Sequence, residues 1–246
     1  MILLLTGCIN PNGMIMTALS NQEERKSQYI KAIRFYLSNT EFPIVFSENS
    51  GSDISLYFQD AIESGRMEYL TFLGNENKKR GKGYGECEII EYTLNHSKLI
   101  QASKDQRIIK ITGRLIVKNI TSIIRWHQLF FSKKTVFCSI NSDLSFPDSR
   151  LIVAPVSFYR AFLHSKEKIN DSKGYFFEHV LLDTLKREIN FPYSPFIQIP
   201  SIEGISGSTG EKYNEEMYTL SFAVKYARHT ISLRNRFKLL YRKKIR

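Results

Sequence analysis

The stretch from Arg107 to Val117 reads RIIKITGRLIV. It is rich in β-branched residues that alternate in part with polar ones, and it predicts a buried strand. Period two puts Lys110, Thr112 and Arg114 on one face and Ile109, Ile111 and Leu115 mostly on the other. Gly113 allows a ligand or another chain to approach the backbone. Two cations and a hydroxyl in a largely buried strand are costly unless they meet anions. A diphosphate would satisfy them, and so would internal pairing with Asp or Glu.

The flanking sequence shows what kind of sheet this strand joins. Ile2 to Leu5 reads as a buried strand, followed by the turn-rich TGCINPNG. Gln22 to Leu37 has a helical pattern with an acidic start, Glu23-Glu24. Pro43 to Phe46 is a short strand ending in the loop SENSG, Ile54 to Ser64 a short helix, and Met67 to Leu73 a strand. The polar connection GNENKKRGKGYG (Gly74 to Gly85) leads to a helix over Glu86 to His96. Strand and helix alternate up to Val117, which predicts an α/β fold with a mostly parallel sheet flanked by helices. Ligands in such sheets bind outside the carboxyl ends of the strands. The loops after Leu5, Phe46 and Leu73, with the middle of the Arg107 strand, are therefore the expected site. Further on, Ile120 to Leu129 reads as a helix and Lys134 to Ile140 as a strand. Arg150 to Val153 reads as a strand entering a helix near Ser157 to His164, and Gly174 to Glu188 as a helix. Phe191 to Gly210 reads as an ordered loop and Lys225 to Arg246 as an amphipathic helix.

Composition narrows the class. The 246 residues are 42% hydrophobic and 13% aromatic, which excludes general disorder. No run approaches the ~18 to 20 apolar residues of a membrane span, and Met1 to Leu5 is too short for a secretory core. Three distant cysteines (Cys8, Cys87, Cys138) show neither a disulfide framework nor zinc spacing, and a reducing cytoplasm is the expected compartment. The net charge of +11 is uneven. Nine of the 35 Lys and Arg residues lie between Lys225 and Arg246, beyond the last acid, Glu216. The other 26 face 24 Asp and Glu. A nearly neutral body, without an aromatic-basic surface motif, argues against nucleic acid. The basic tail, interleaved with Ile231, Leu233, Phe237, Leu239 and Leu240, suits an anionic membrane surface. RNA contact, or packing on the body, is the alternative.

Several smaller constellations carry chemistry. Lys82 and Gly83 lie in a glycine-rich segment before a helix, where amides favour anions. Glu48 and Asn49 follow the second strand and suit contact with a nucleobase or ribose, or a plain strand-end turn. Asp143 and Asp148 suit a metal or the donor sugar, with an Asx turn or helix cap as the alternative that Asp143 fits better. Asp148 and Arg150 flank the entry to an apolar strand, so Arg150 is expected to have a specific anionic partner. Asp171 reads as a helix cap. Glu178 sits among apolar residues, where burial raises a carboxylate pKa toward that of a general base. Ser206 and Ser208 lie in a late loop suited to an acceptor contact or a lid.

Taken in order, the apolar strand, the SENSG loop, the next strand, GKGYGE with its helix and the KITGR strand resemble bacterial nucleotide-sugar glycosyltransferases of the GT-A type. The likeness is to capsule and O-antigen members distantly related to family 2, over roughly residues 1 to 190. Thr112-Gly113-Arg114 stands where that family carries a metal-binding Asp-x-Asp. The resemblance implies a nucleotide-sugar donor, a lipid-linked glycan acceptor and a place at the inner face of the cytoplasmic membrane. It implies that Lys82, Lys110 and Arg114 neutralise the donor diphosphate, with Gly83 and Thr112 beside them. Asp148 and Arg150 then position the donor sugar, and Glu178 activates the acceptor. No metal ligand is assigned, and Mg or Mn is an optional cofactor. The expected organisation is a GT-A-like domain over residues 1–220 and a basic membrane-associating helix over 221–246. Nucleotidyl transfer is the rival enzyme class, and a non-catalytic or nucleic-acid-binding protein using the tail is the rival outside enzymes.

Overall fold

The computed structural model describes residues 1–14, 17–213 and 220–245. The first half runs β1 (Ile2–Gly7), α1 (Gln22–Asn39), β2 (Ile44–Glu48), α2 (Gln59–Glu63), β3 (Met67–Thr71), α3 (Lys82–His96), α4 (Lys98–Ala102) and β4 (Arg107–Thr112). Then come β5 (Ile116–Val117), α5 (Ile120–Phe130), β6 (Val136–Phe137), β7 (Leu151–Pro155), α6 (Val156–Leu163) and α7 (Phe177–Arg187). The remainder is β8 (Tyr193–Ser194), β9 (Ile202–Ile205), β10 (Lys212–Tyr213) and α8 (Leu220–Ile245).

The fold is mixed α/β, with a mostly parallel sheet flanked by helices. A seven-stranded sheet has the order β3-β2-β1-β4-β7-β6-β8. β3, β2, β1 and β4 are mutually parallel, as are β6 and β8, and β7 runs against both of its neighbours. A smaller sheet joins β10, β9 and β5. The strands are apolar on both faces because helices cover both. Leu4, Val45, Ile108 and Ile152 pack toward α3, α6, α7 and α8. Leu3, Leu5, Phe46, Ile109 and Ile111 pack toward α1 and α5.

Local departures from the sequence reading have clear causes. The Arg107 strand ends at Thr112, where a turn over Gly113 and Arg114 is closed by the Leu115 amide on the Thr112 carbonyl, 2.9 Å away. Arg114 therefore lies in a turn rather than on the strand face shared by Lys110 and Thr112. The Gly74–Gly85 connection is shorter than expected, since α3 already begins at Lys82. The segment over 174–188 is helical only from Phe177, after a 3₁₀ turn that ends at left-handed Gly174. Only Val136–Phe137 of the Lys134–Ile140 stretch pairs as strand, and the Phe191–Gly210 loop holds β8 and β9.

The C-terminal helix is docked rather than free. Leu233 and Phe237 are buried in the main core, and the Tyr241 hydroxyl donates to the Leu185 carbonyl at 3.0 Å. Packing on the body thus takes one face of α8. Its outer face carries Lys225, Arg228, Lys238 and Arg242 with exposed Val224, Ile231 and Leu239. Arg246 lies outside the described residues. No described helix is long and apolar enough to cross a membrane.

One buried group sets an acid sensitivity. His127 is 1% exposed, among Phe131, Phe137 and Phe196, and neither ring nitrogen has a hydrogen-bond partner. Burial, helped by the charge of Arg234, lowers its pKa from 6.5 to about 3. The unfolded chain therefore takes up a proton that the fold rejects as pH falls below 6.5. Stability drains away down to about pH 3, by at most ~1.4 kcal/mol per pH unit from this group. His127→Phe fits the aromatic surroundings and should flatten that limb. Relative to its effect at pH 7.5, it should stabilise by on the order of 2 kcal/mol at pH 5 in urea unfolding. Parallel stability–pH curves for the two proteins would refute this.

Candidate active site

A cleft of ≈ 1020 Å³ opens at the carboxyl ends of β1, β2 and β4. Sheet topology assembles it. β1 delivers Thr6 and Gly7 at its end, with Cys8 following, and β2 is followed by Asn49. β4 ends at Thr112, with Arg114 in the turn beyond. Because β7 runs antiparallel to β4, its start lies at the same edge. Ile111 faces Leu151, and the Thr112 amide donates to the Arg150 carbonyl at 3.0 Å. Asp148, Ser149 and Arg150 reach the cleft this way. The first turns of α3 and α7 bring Lys82 and Glu178, and the loop after β9 brings Ser206 and Ser208.

Of the residues singled out in the sequence, Asn49, Lys82, Gly83, Thr112, Arg114, Asp148, Arg150, Glu178, Ser206 and Ser208 line the cleft. Glu48 and Lys110 do not. The Glu48 carboxylate is fully buried and accepts from the Ile9, Ser50 and Ser52 amides and the Thr71 hydroxyl. It ties the loops after β1 and β2 to β3 instead of facing a base or ribose. Lys110 is also fully buried. Its Nζ lies 2.5 Å from Glu86 Oε1 and donates to the Ser149 carbonyl at 2.8 Å. Internal pairing, rather than an incoming diphosphate, meets its charge.

Two arginines have a different environment. Arg25 and Arg114 are 6% and 7% exposed. Arg25 donates to the carbonyls of Cys8 and Leu19, and Arg114 to the Ile205 carbonyl and Gln28 Oε1. No carboxylate among the described residues pairs with either, and the Arg114 Nε is buried without a partner. Lys82 shares their field. Burial lowers its pKa, Asp171 opposes the shift, and Arg114 and Arg25 add to it. Lys82 Nζ also donates to Ser208 Oγ. The cleft therefore gathers three cations at the strand ends, two of them satisfied only by neutral oxygens.

The glycines at the start of α3 serve an internal anion. Asp171 Oδ2 accepts from the Gly83 amide at 3.0 Å, so this carboxylate caps α3 rather than the helix that follows it in sequence. Gly81 has φ +90°, and a Cβ there would lie 2.4 Å from Asp171. Burial raises the Asp171 pKa, while the Gly83 amide and Lys82 hold it back.

On the opposite wall, Glu178 Oε1 accepts from Ser149 Oγ at 2.5 Å. Burial raises its pKa, partly offset by the Ser149 hydrogen bond. Asp148 and Arg150 pair with each other through both carboxylate oxygens, at 2.6 to 3.0 Å, and Arg150 lies over the Tyr213 ring. Asp143 makes the expected Asx turn onto the Ser145 amide.

Sequence reasoning missed three cleft residues. Arg25 and Tyr29 are four apart on the buried face of α1, and that i, i+4 spacing was the available signal. Glu86 was read only as the start of a helix. It accepts from Thr6 Oγ1 at 2.7 Å and from Lys110, and its carboxylate reaches the cleft floor.

Among the described residues no group of three His, Cys, Asp or Glu side chains is placed to hold a metal ion. The position after β4 carries the Arg114 guanidinium instead.

No protein-family model matches the chain, and no curated protein sequence matches it. Solved structures show a distant likeness. A cytidylyltransferase from Leptospira borgpetersenii serovar Hardjo-bovis gives a TM-score of 0.44 at 10% identity, over 79% of this chain and 74% of that one. Mouse xyloside xylosyltransferase 1 gives 0.43 at 10% identity, over 78% and 83%. HddC from Yersinia pseudotuberculosis gives 0.35 at 11% identity, over 65% and 79%.

Proposed function

We propose that the protein is a glycosyltransferase that moves a sugar from a nucleotide-sugar donor to the hydroxyl of a glycan acceptor. One observation carries the reading. Arg25 and Arg114 are buried at the strand ends, and no carboxylate among the described residues pairs with them; beside them is Lys82, in a cleft that also holds the half-buried Glu178 carboxylate. Buried charge left without a counter-charge is costly, and a bound diphosphate supplies that charge. In the reaction Glu178 takes the proton of the acceptor hydroxyl, and the acceptor oxygen attacks the anomeric carbon. The nucleoside diphosphate leaves with its new charge facing Arg25, Lys82 and Arg114. Asp148 and Arg150, locked to each other, frame the donor sugar, and Ser206 and Ser208 contact the acceptor. Lys110 acts at one remove, by fixing Glu86 and the Ser149 backbone.

The reading extends to a lipid-linked acceptor of the O-antigen or capsule kind, met at the inner membrane face through residues 225–246. The charge on the outer face of α8 is what supports it. The same three cations would suit a nucleoside triphosphate, so nucleotidyl transfer is the second reading. Product analysis separates the two, since one releases a nucleoside diphosphate and the other pyrophosphate.

Thermal unfolding against nucleotides and nucleotide sugars, with Mg, Mn or EDTA, tests the proposal. A ligand at about 100 times its Kd stabilises by roughly 2.7 kcal/mol. At about 2 to 4 °C per kcal/mol for a chain of this size, that is a readable shift. A shift that persists in EDTA is expected. A shift only with metal overturns the cationic diphosphate site, and no shift with any nucleotide overturns the transferase reading.

A further inference from the structure

The last turns of α5 leave three large apolar side chains in solvent. Trp126, Leu129 and Phe130 are 41%, 67% and 63% exposed. The spacing i, i+3, i+4 makes them one ridge, and the Trp126 and Phe130 rings stack at 5.5 Å with planes 11° apart. Single exposed apolar residues are ordinary, but a contiguous ridge marks an interaction surface.

Its charge indicates the partner. Arg125, Lys133 and Lys134 are exposed around the ridge, and no Asp or Glu occurs between Asp105 and Asp143. The neighbouring helix α8 is likewise free of acids. The two elements meet where the Arg234 guanidinium lies 4.8 Å from the centre of the Phe131 ring. The two helices divide the labour. α8 places Leu233 and Phe237 in the core and turns cations outward with Val224, Ile231 and Leu239 among them, whereas α5 adds exposed aromatic rings.

We propose that the Trp126–Leu129–Phe130 ridge inserts into the interface of a bilayer rich in anionic lipids. Aromatic and aliphatic side chains bury at the level of the headgroups, with surrounding Lys and Arg on the phosphates. The proposal deepens the membrane part of the function above and is independent of the reaction. Vesicle binding needs no donor, so the two fail separately.

Trp126 is the only tryptophan in the chain, so its emission reports on the ridge directly. With vesicles of equimolar phosphatidylglycerol and phosphatidylcholine, the spectrum should shift to the blue and be quenched by brominated acyl chains. Neutral phosphatidylcholine vesicles should do neither. The double variant Leu129→Ser, Phe130→Ser keeps the reporter and changes only exposed positions. It should keep the wild-type melting temperature and bind these vesicles about tenfold or more weakly. Lys238→Glu with Arg242→Glu should weaken binding and reduce its salt dependence, while the bound fraction still shifts to the blue. Vesicle binding with an unchanged Trp126 spectrum would assign the contact to α8 alone and overturn the proposal. So would absence of vesicle binding, whether the ridge proves to cover a second copy of the chain, seen as a dimer lost in the serine variant, or to bind RNA.

Discussion

Glu178→Gln is expected to slow turnover by about 10²- to 10⁴-fold while the fold and donor binding persist. The substitution keeps the shape of the side chain and an oxygen that can still accept from Ser149 Oγ. It removes the group that takes the acceptor proton. Burial raises the Glu178 pKa, so the wild-type acid limb should lie above the usual carboxylate range. Activity should rise with pH through that limb, because the base works only when ionised. The same shift gives the sign for stability. A carboxyl whose folded pKa is raised favours the fold when protonated, and that contribution is lost as pH rises through the folded value. At neutral pH the glutamine should therefore melt no lower than wild type. The acid limb of the rate profile should vanish in the variant, and the nucleotide-induced melting shift should remain. An unchanged rate would remove the proton-transfer role. A lost nucleotide shift would instead assign Glu178 to donor binding.

The layer was legible because its strands are buried on both faces. A run such as Leu3-Leu4-Leu5 or Ile108-Ile109 has few other places to go in a soluble fold. The alternation with helices then fixed the site edge, and most of the polar residues read from the strand-end loops do line one cleft. The failures share a physical cause. Lys110 and Glu48 were read as candidates for a ligand, and groups distant in sequence help to meet both charges. The partner of Lys110 comes from α3, and the Glu48 carboxylate is met partly by Ile9 and Thr71. Residue patterns give the cost of a buried charge but not the partner that meets it.

The glycines at the start of α3 show the same limit. GKGYG signalled close backbone approach correctly. The approaching group is Asp171, 88 residues away, and a phosphate is not needed to explain it. Arg25 stayed hidden for the opposite reason. A cation in the second turn of a helix with a charged start reads as solvated, and only its register with Tyr29 marks it as buried. The reversal of β7, which carries Asp148 and Arg150 to the edge of β4, has no signature in a short apolar strand.

Arg114 carries the second large effect, and two variants are needed to read it. Its guanidinium holds the late loop through the Ile205 carbonyl, and a Cβ on Gly207 would lie 2.4 Å from its Nη2. Arg114→Ala therefore frees the loop bearing Ser206 and Ser208 as well as removing a charge. Arg114→Lys keeps the charge and loses the fork that spans loop and cleft. A hydrogen bond from a charged group contributes roughly 1.5 to 3 kcal/mol, so either variant should weaken donor binding by about ten- to a hundredfold. At a nucleotide concentration of about 100 times the wild-type Kd, a hundredfold loss cuts the stabilisation from roughly 2.7 to about 0.4 kcal/mol. The melting shift should then nearly disappear. Inorganic diphosphate should compete with the donor in the wild type and do so less well in both variants. If Arg114→Ala fails to fold, Arg114→Lys still decides the matter, since it retains the cation and changes little bulk. Wild-type shifts and wild-type turnover in Arg114→Lys would show that the cation suffices and that the planar fork serves the loop alone. Wild-type shifts and turnover in Arg114→Ala would remove Arg114 from the diphosphate site and leave Arg25 and Lys82 for it.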